Sequence, residues 1–218
     1  MDFSLLTLLA LGGALGVKHA MEPDHVVAVS AIASKSNKLW RASLAGAFWG
    51  IGHTATLFAV GMFLIVTKAE IPEKWAMLLE FCVGVMIVFL GVRCLADAMS
   101  SDRRSPSVRA GRGISYRDTM LVGVLHGFAG SAAMVLLTMS LMEHIWQGAL
   151  FILVFGAGTA AGMLLATTLI GLPFVMSAGK ARLNRILVGF AGTFSVLFGL
   201  YYMYNIGIYE GLLTQWLP

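Results

Sequence analysis

The segment GVKHAMEPDHVVAV, residues 16–29, carries His19, Glu22, Asp24 and His25 inside an otherwise apolar run. Ionisable side chains are expensive to hold at membrane depth, so each of the four is a candidate for function rather than packing. Two imidazoles and one carboxylate form a mixed nitrogen and oxygen set suited to a first-row divalent ion such as nickel, cobalt, copper or zinc. Glu22 can add an oxygen or hold a ligand histidine through its second nitrogen. His53 stands in GIGHTAT, among small residues that let helices approach closely and leave room for an ion path, with the adjacent Thr54 a further candidate for that path. The bland alternatives are a structural polar knot or proton relay for the first group, and a helix-to-helix hydrogen bond for His53.

On an unbroken helix His19, Asp24 and His25 cannot converge, because Asp24 lies about 140° and His25 about 240° around the axis from His19. Pro23 changes this. It lacks an N–H for the carbonyl of His19 and pushes Glu22 out of helical geometry, so a break is expected there. Broken backbone survives at membrane depth only when buried in protein or lining a wet cavity.

The rest of the chain is built to hold such a site in a bilayer. Of 218 residues, 58% are hydrophobic and 12% charged, well outside soluble composition. Six apolar runs, at 3–33, 43–67, 75–98, 119–142, 148–172 and 184–209, are long enough to span. The expected fold is therefore an all-α integral membrane protein of about six transmembrane helices, the first broken near Pro23. Asp2 stands where a secretory signal would carry basic residues, so the first run is expected to stay on the mature protein.

Eleven lysines and arginines follow the first, third and fifth runs, whereas Lys68 and Lys74 on the opposite side are accompanied by Glu70 and Glu73. The positive-inside rule then places the chain in the cytoplasmic membrane with both termini outside the cytoplasm. The same topology explains the net charge of +4 without nucleic acid. Cys82 and Cys94 would stand about 18 Å apart along one helix, too far for a disulfide.

The chain also repeats itself. GVKHAMEPD from Gly16 aligns with GVLHGFAGS from Gly123, GIGHTA from Gly50 with GAGTAA from Gly156, and GVMIVFLGV from Gly84 with GTFSVLFGL from Gly192. The offsets are 107, 106 and 108 residues, so the unit is three spans: residues 1–99 and 119–218, joined by a polar linker over 100–118. An odd number of spans inverts the second unit, an arrangement that places transporter sites near the midplane. His126 occupies the repeat position of His19 and is a further candidate ligand. Counted along their spans, His19 to His25, His53 and His126 all reach one layer at about 10–21 Å depth. Glu80 lies inside the outer boundary of its span, where it can guide cations inward or turn to the interface.

HAMEPDH, with four residues between His19 and Asp24, resembles the signature of the nickel/cobalt permease family, the NiCoT or NicO group. GIGHTAT resembles that family's second motif. The core members have eight spans with the signature in the second, so this chain looks more like the shorter, urease-operon-associated branch of nickel transporters. The resemblance implies that His19, Asp24 and His25 bind a transported ion, Ni2+ or Co2+, with His53 a ligand or relay. It implies no prosthetic group and no enzyme, the partners being the metal ion and the bilayer. No GxxxxGK[ST] loop is present for nucleotide binding. Uptake is the leading expectation. The competing readings are metal export, a membrane-embedded metalloenzyme with Glu22 as acid or base, and a thiol-disulfide electron carrier.

Overall fold

A computed structural model describes residues 5–99, 115–141 and 144–216, all of them in helices or short connections. Helix α1 covers Leu5–His19 and α2 Pro23–Ala33. They are followed by α3 (Leu39–Thr67), α4 (Glu73–Met99), α5 (Tyr116–Leu141), α6 (Ile145–Ser177) and α7 (Ala181–Tyr204). A π-helical turn over Asn205–Tyr209 and the short α8 (Leu212–Trp216) complete the described chain. Residues 100–114, the greater part of the expected linker, lie outside the described residues.

The expected break is present, with α1 and α2 bent by 57° across Ala20 to Glu22. Its hydrogen bonding corrects one expectation. The carbonyl of His19 is not left free, because the Glu22 N–H donates to it at 3.0 Å, while Met21 N–H donates to the Lys18 carbonyl at 2.9 Å. A tight turn thus absorbs the groups that Pro23 disrupts, and Pro23 itself opens α2, where its missing N–H costs nothing.

Helices α3, α4, α6, and α7 continued through Tyr209, are each long and apolar enough to cross a membrane; the bent α1–α2 pair adds a fifth candidate. Helix α5, with 26 residues, holds the fourth expected run. Pro173 lies inside α6, which continues to Ser177, past the expected limit at 172. One missing hydrogen bond is tolerated in a helix braced by neighbours.

The main contacts pair α3 with α5, α3 with α6, α4 with α7 and α1 with α6; α2 is inserted between α6 and the α4–α7 pair. Close approach depends on glycine. A Cβ at Gly16 would collide with the Phe155 carbonyl of α6, and one at Gly123 with the Trp49 carbonyl of α3. Without those side chains α1 lies directly on α6, and α5 on α3, which draws the four helices around one centre. Phe63, Phe190, Leu197 and Tyr201 are exposed, as an apolar solvent allows.

Candidate functional site

The bend, α3 and α5 deliver four histidines to that centre. His19 ends α1, Asp24 and His25 open α2, His53 projects from α3 and His126 from α5. His25, His53 and His126 are almost fully buried, whereas the His19 side chain keeps 18% exposure and that of Glu22 47%. Their ring centroids are close: 4.0 Å for His25 and His126, 4.5 Å for His19 and His25, and 5.2 Å for His19 and His53.

The carboxylates determine which nitrogens are free. Asp24 Oδ1 is 3.1 Å from His25 Nδ1, and Asp24 Oδ2 is 2.7 Å from His126 Nε2. An ionised carboxylate only accepts, so both of those nitrogens carry the proton and donate to Asp24. In neutral rings the lone pairs then lie on His25 Nε2 and His126 Nδ1, and both atoms are buried without a hydrogen-bond partner. Glu22 Oε2 stands 2.8 Å from His19 Nδ1 and orders that ring in the same way, so His19 Nε2 accepts from the Nε2–H of His53, whose lone pair lies on its buried, partnerless Nδ1.

His19 Nε2 faces His53 Nε2 at 3.2 Å. Metal–imidazole bonds of about 2.0–2.1 Å hold neighbouring ligand nitrogens about 3.0–3.4 Å apart, so the pair is already spaced for one ion. His19, His25 and His53 offer ligand atoms within 4.8 Å of one another, and so, as a second group, do Asp24, His25 and His126. His25 belongs to both.

A cavity of about 300 Å³ reaches the cluster, lined by His19, Glu22, Asp24, His25, His126 and Glu80 among others. His53 stands behind His19, outside that lining. The expected site residues are therefore assembled in one place, including Glu22 and His126, with half-buried Glu80 on the cavity wall. Thr54 is a correction: its hydroxyl donates to the Gly156 carbonyl at 3.0 Å, fastening α3 to α6 instead of joining the site.

Two residues of the site escaped the sequence reading. Trp49 is fully buried, stacks on His25 with ring centroids 6.1 Å apart, and lies 5.7 Å from His126. Gly130 leaves open space, since a Cβ there would stand 3.8 Å from His19 Nε2 and 3.9 Å from His53 Cε1. The available signal was spacing: Trp49 precedes His53, and Gly130 follows His126, by one helical turn. The cysteines have no part in the site. Cys82 is exposed, and buried Cys94 donates to the Ala31 carbonyl at 3.2 Å.

Apolar helices of spanning length around a buried histidine and carboxylate cluster define a multi-pass membrane protein with a buried polar centre. Comparison with known proteins makes the family specific. The chain is 50% identical over 222 residues to the urease accessory protein UreH of Bacillus sp. (strain TB-90), covering 98% of this chain and 97% of that one. The chain belongs to the family of this urease accessory protein. It is also similar to two Arabidopsis thaliana proteins. Chloroplast protein FOR GROWTH AND FERTILITY 1 is 25% identical over 187 residues, 76% of this chain and 50% of its own length. Chloroplast protein FOR GROWTH AND FERTILITY 2 is 24% identical over 180 residues, 77% of this chain and 48% of its own. No protein-family model and no solved structure matches the chain.

Proposed function

We propose that the protein carries nickel ions across the cytoplasmic membrane toward the cytoplasm, in support of urease. The observation that carries this reading is the trio His19, His25 and His53, clustered in a membrane chain with His19 and His25 on the cavity wall and carboxylates holding the outer nitrogens of those two rings. Imidazole nitrogen with carboxylate support suits nickel among divalent ions and suits magnesium or calcium poorly. The urease role of the UreH relative and the resemblance to nickel permeases both favour nickel as the substrate.

The architecture supports the transport class. The packing supports six spans in two inverted units, α5 being the fourth. Helix α1 lies on α6 as α5 lies on α3. Gly16 meets the Phe155 carbonyl as Gly123 meets that of Trp49, and Gly52 meets the Met120 carbonyl as Gly158 meets that of Gly13. Each contact is carried onto its counterpart by the sequence offsets of 106 and 107 residues. Rocking of such units about a central site gives alternating access.

In the mechanism, hydrated Ni2+ enters the cavity past Glu80 and Glu22 and exchanges water for the Nε2 atoms of His19, His25 and His53, the His53 proton moving from Nε2 to its unpartnered Nδ1 as the ion takes its place between the rings. Glu22 and Asp24 hold the imidazoles of His19 and His25 in the required tautomer. With both termini outside, as the basic loops favour, inward movement is downhill: two charges through 100 mV gain about 4.6 kcal/mol.

The test is uptake into sealed liposomes containing the purified protein, comparing nickel, cobalt, zinc and manganese with and without an imposed potential. Nickel-selective, potential-dependent entry abolished by His53→Ala is the expected result. Equal entry in wild type and His53→Ala, or nickel binding without flux, would refute the reading.

A further inference from the structure

Resting on that transport reading, we infer that the cavity offers the ion two overlapping coordination positions, His19/His25/His53 and Asp24/His25/His126, and that His25 passes it from one to the other.

Both groups bring three ligand atoms within 4.8 Å of one another, and His25 is their only common member. Its ring lies between the other two imidazoles, with centroids 4.5 Å from His19 and 4.0 Å from His126. Nδ1 is turned to Asp24 at 3.1 Å, whereas Nε2 is buried without a partner. One ring can therefore serve the first position through Nε2 and the second through Nδ1, the Nδ1 proton passing by way of cavity water to Nε2 as the ion leaves that nitrogen, with Asp24 changing from orienting group to ligand.

Side-chain exposure is 47% at Glu22, 18% at His19 and 15% at Asp24, whereas His25 and His126 are almost fully buried on the cavity lining and His53 is fully buried outside it. An ion arriving through the cavity therefore meets each group through one open member, His19 of the first and Asp24 of the second. His126 Nδ1 is a further buried nitrogen with no partner, on the far side of the pair of bonds that Asp24 makes. His19 and His126 also occupy equivalent positions of the two repeat units, so each position draws one histidine from that related pair.

Two shared positions solve a physical problem of conduction. A site tight enough to strip water from a divalent ion releases it slowly, unless a neighbouring site takes over the ligands one at a time. A common imidazole keeps the two positions adjacent, one on each nitrogen of the His25 ring, so the ion has only a short step between them.

The experiment measures Ni2+ binding by equilibrium dialysis and Ni2+ flux in liposomes for wild type, His53→Gln and His126→Gln. His53→Gln should lose roughly 100-fold or more in affinity, and flux with it. His126→Gln should keep affinity within roughly threefold while flux falls at least roughly 10-fold, because the ion enters but has no second position to take it. Parallel loss of affinity and flux in monodisperse His126→Gln would mean one joint site and overturn the relay. Unchanged flux would overturn it equally. If His126→Gln aggregates, His126→Asn is scored by the same criteria. Wild-type protein that binds Ni2+ without flux would instead sink the transport reading, and the relay with it.

Discussion

Asp24→Asn separates an orienting carboxylate from a direct ligand. In the resting site both Asp24 oxygens are occupied, Oδ1 at 3.1 Å from His25 Nδ1 and Oδ2 at 2.7 Å from His126 Nε2. Asparagine keeps one acceptor and presents an N–H2 donor to the other imidazole, which must then give up its hydrogen bond or change tautomer. If His25 changes, its proton moves to Nε2 and blocks the lone pair meant for the ion. A hydrogen bond to a charged group is worth about 1.5–3 kcal/mol in place. That energy corresponds to about 10- to 100-fold in affinity, the loss usual when a carboxylate behind a metal-bound histidine is removed. Equilibrium dialysis with Ni2+ on detergent-purified Asp24→Asn, checked for helix content by circular dichroism, reads this directly. Affinity within twofold of wild type would refute the orienting role. Complete loss in a folded protein would make Asp24 a ligand already in the first position.

Gly130→Ala introduces a Cβ at ordinary contact distance from His19 and His53, 3.8 and 3.9 Å, so the protein should fold while the space for the ion narrows; melting temperature should hold and nickel flux should fall. Gly16→Leu drives a side chain into the Phe155 carbonyl and should abolish folded protein, whereas Gly179→Ala, with nothing within 4 Å, should be neutral; yield of monodisperse protein decides both. Trp49→Ala empties a fully buried volume beside His25 and should destabilise by about 3–5 kcal/mol, while Trp49→Phe should retain most binding. Oxidant treatment should form no intramolecular disulfide between exposed Cys82 and buried Cys94; a shifted band on a non-reducing gel would contradict the packing of α4.

The sequence by itself determined the environment, the helical class and the identity of the chemical groups. Apolar runs interrupted by His19, Glu22, Asp24, His25, His53 and His126 leave few alternatives, because charge at membrane depth is retained only for function. Pro23 announced the break through local sterics alone, which is why the bend was legible. The rescue of the His19 carbonyl by the Glu22 N–H was not, since it depends on the turn that replaces the lost helical bond. Thr54 shows the same limit from the other side: its motif neighbour His53 faces the site, while its own hydroxyl is taken by Gly156 across the helix interface. Only the tertiary structure decided which nitrogen of each imidazole is free, that Asp24 sits between His25 and His126, and that His25 belongs to two groups at once. These are distances between side chains on α1, α2, α3 and α5. They follow from how closely Gly16 and Gly123 let backbones approach, a property of packed pairs of helices that no single stretch of sequence contains.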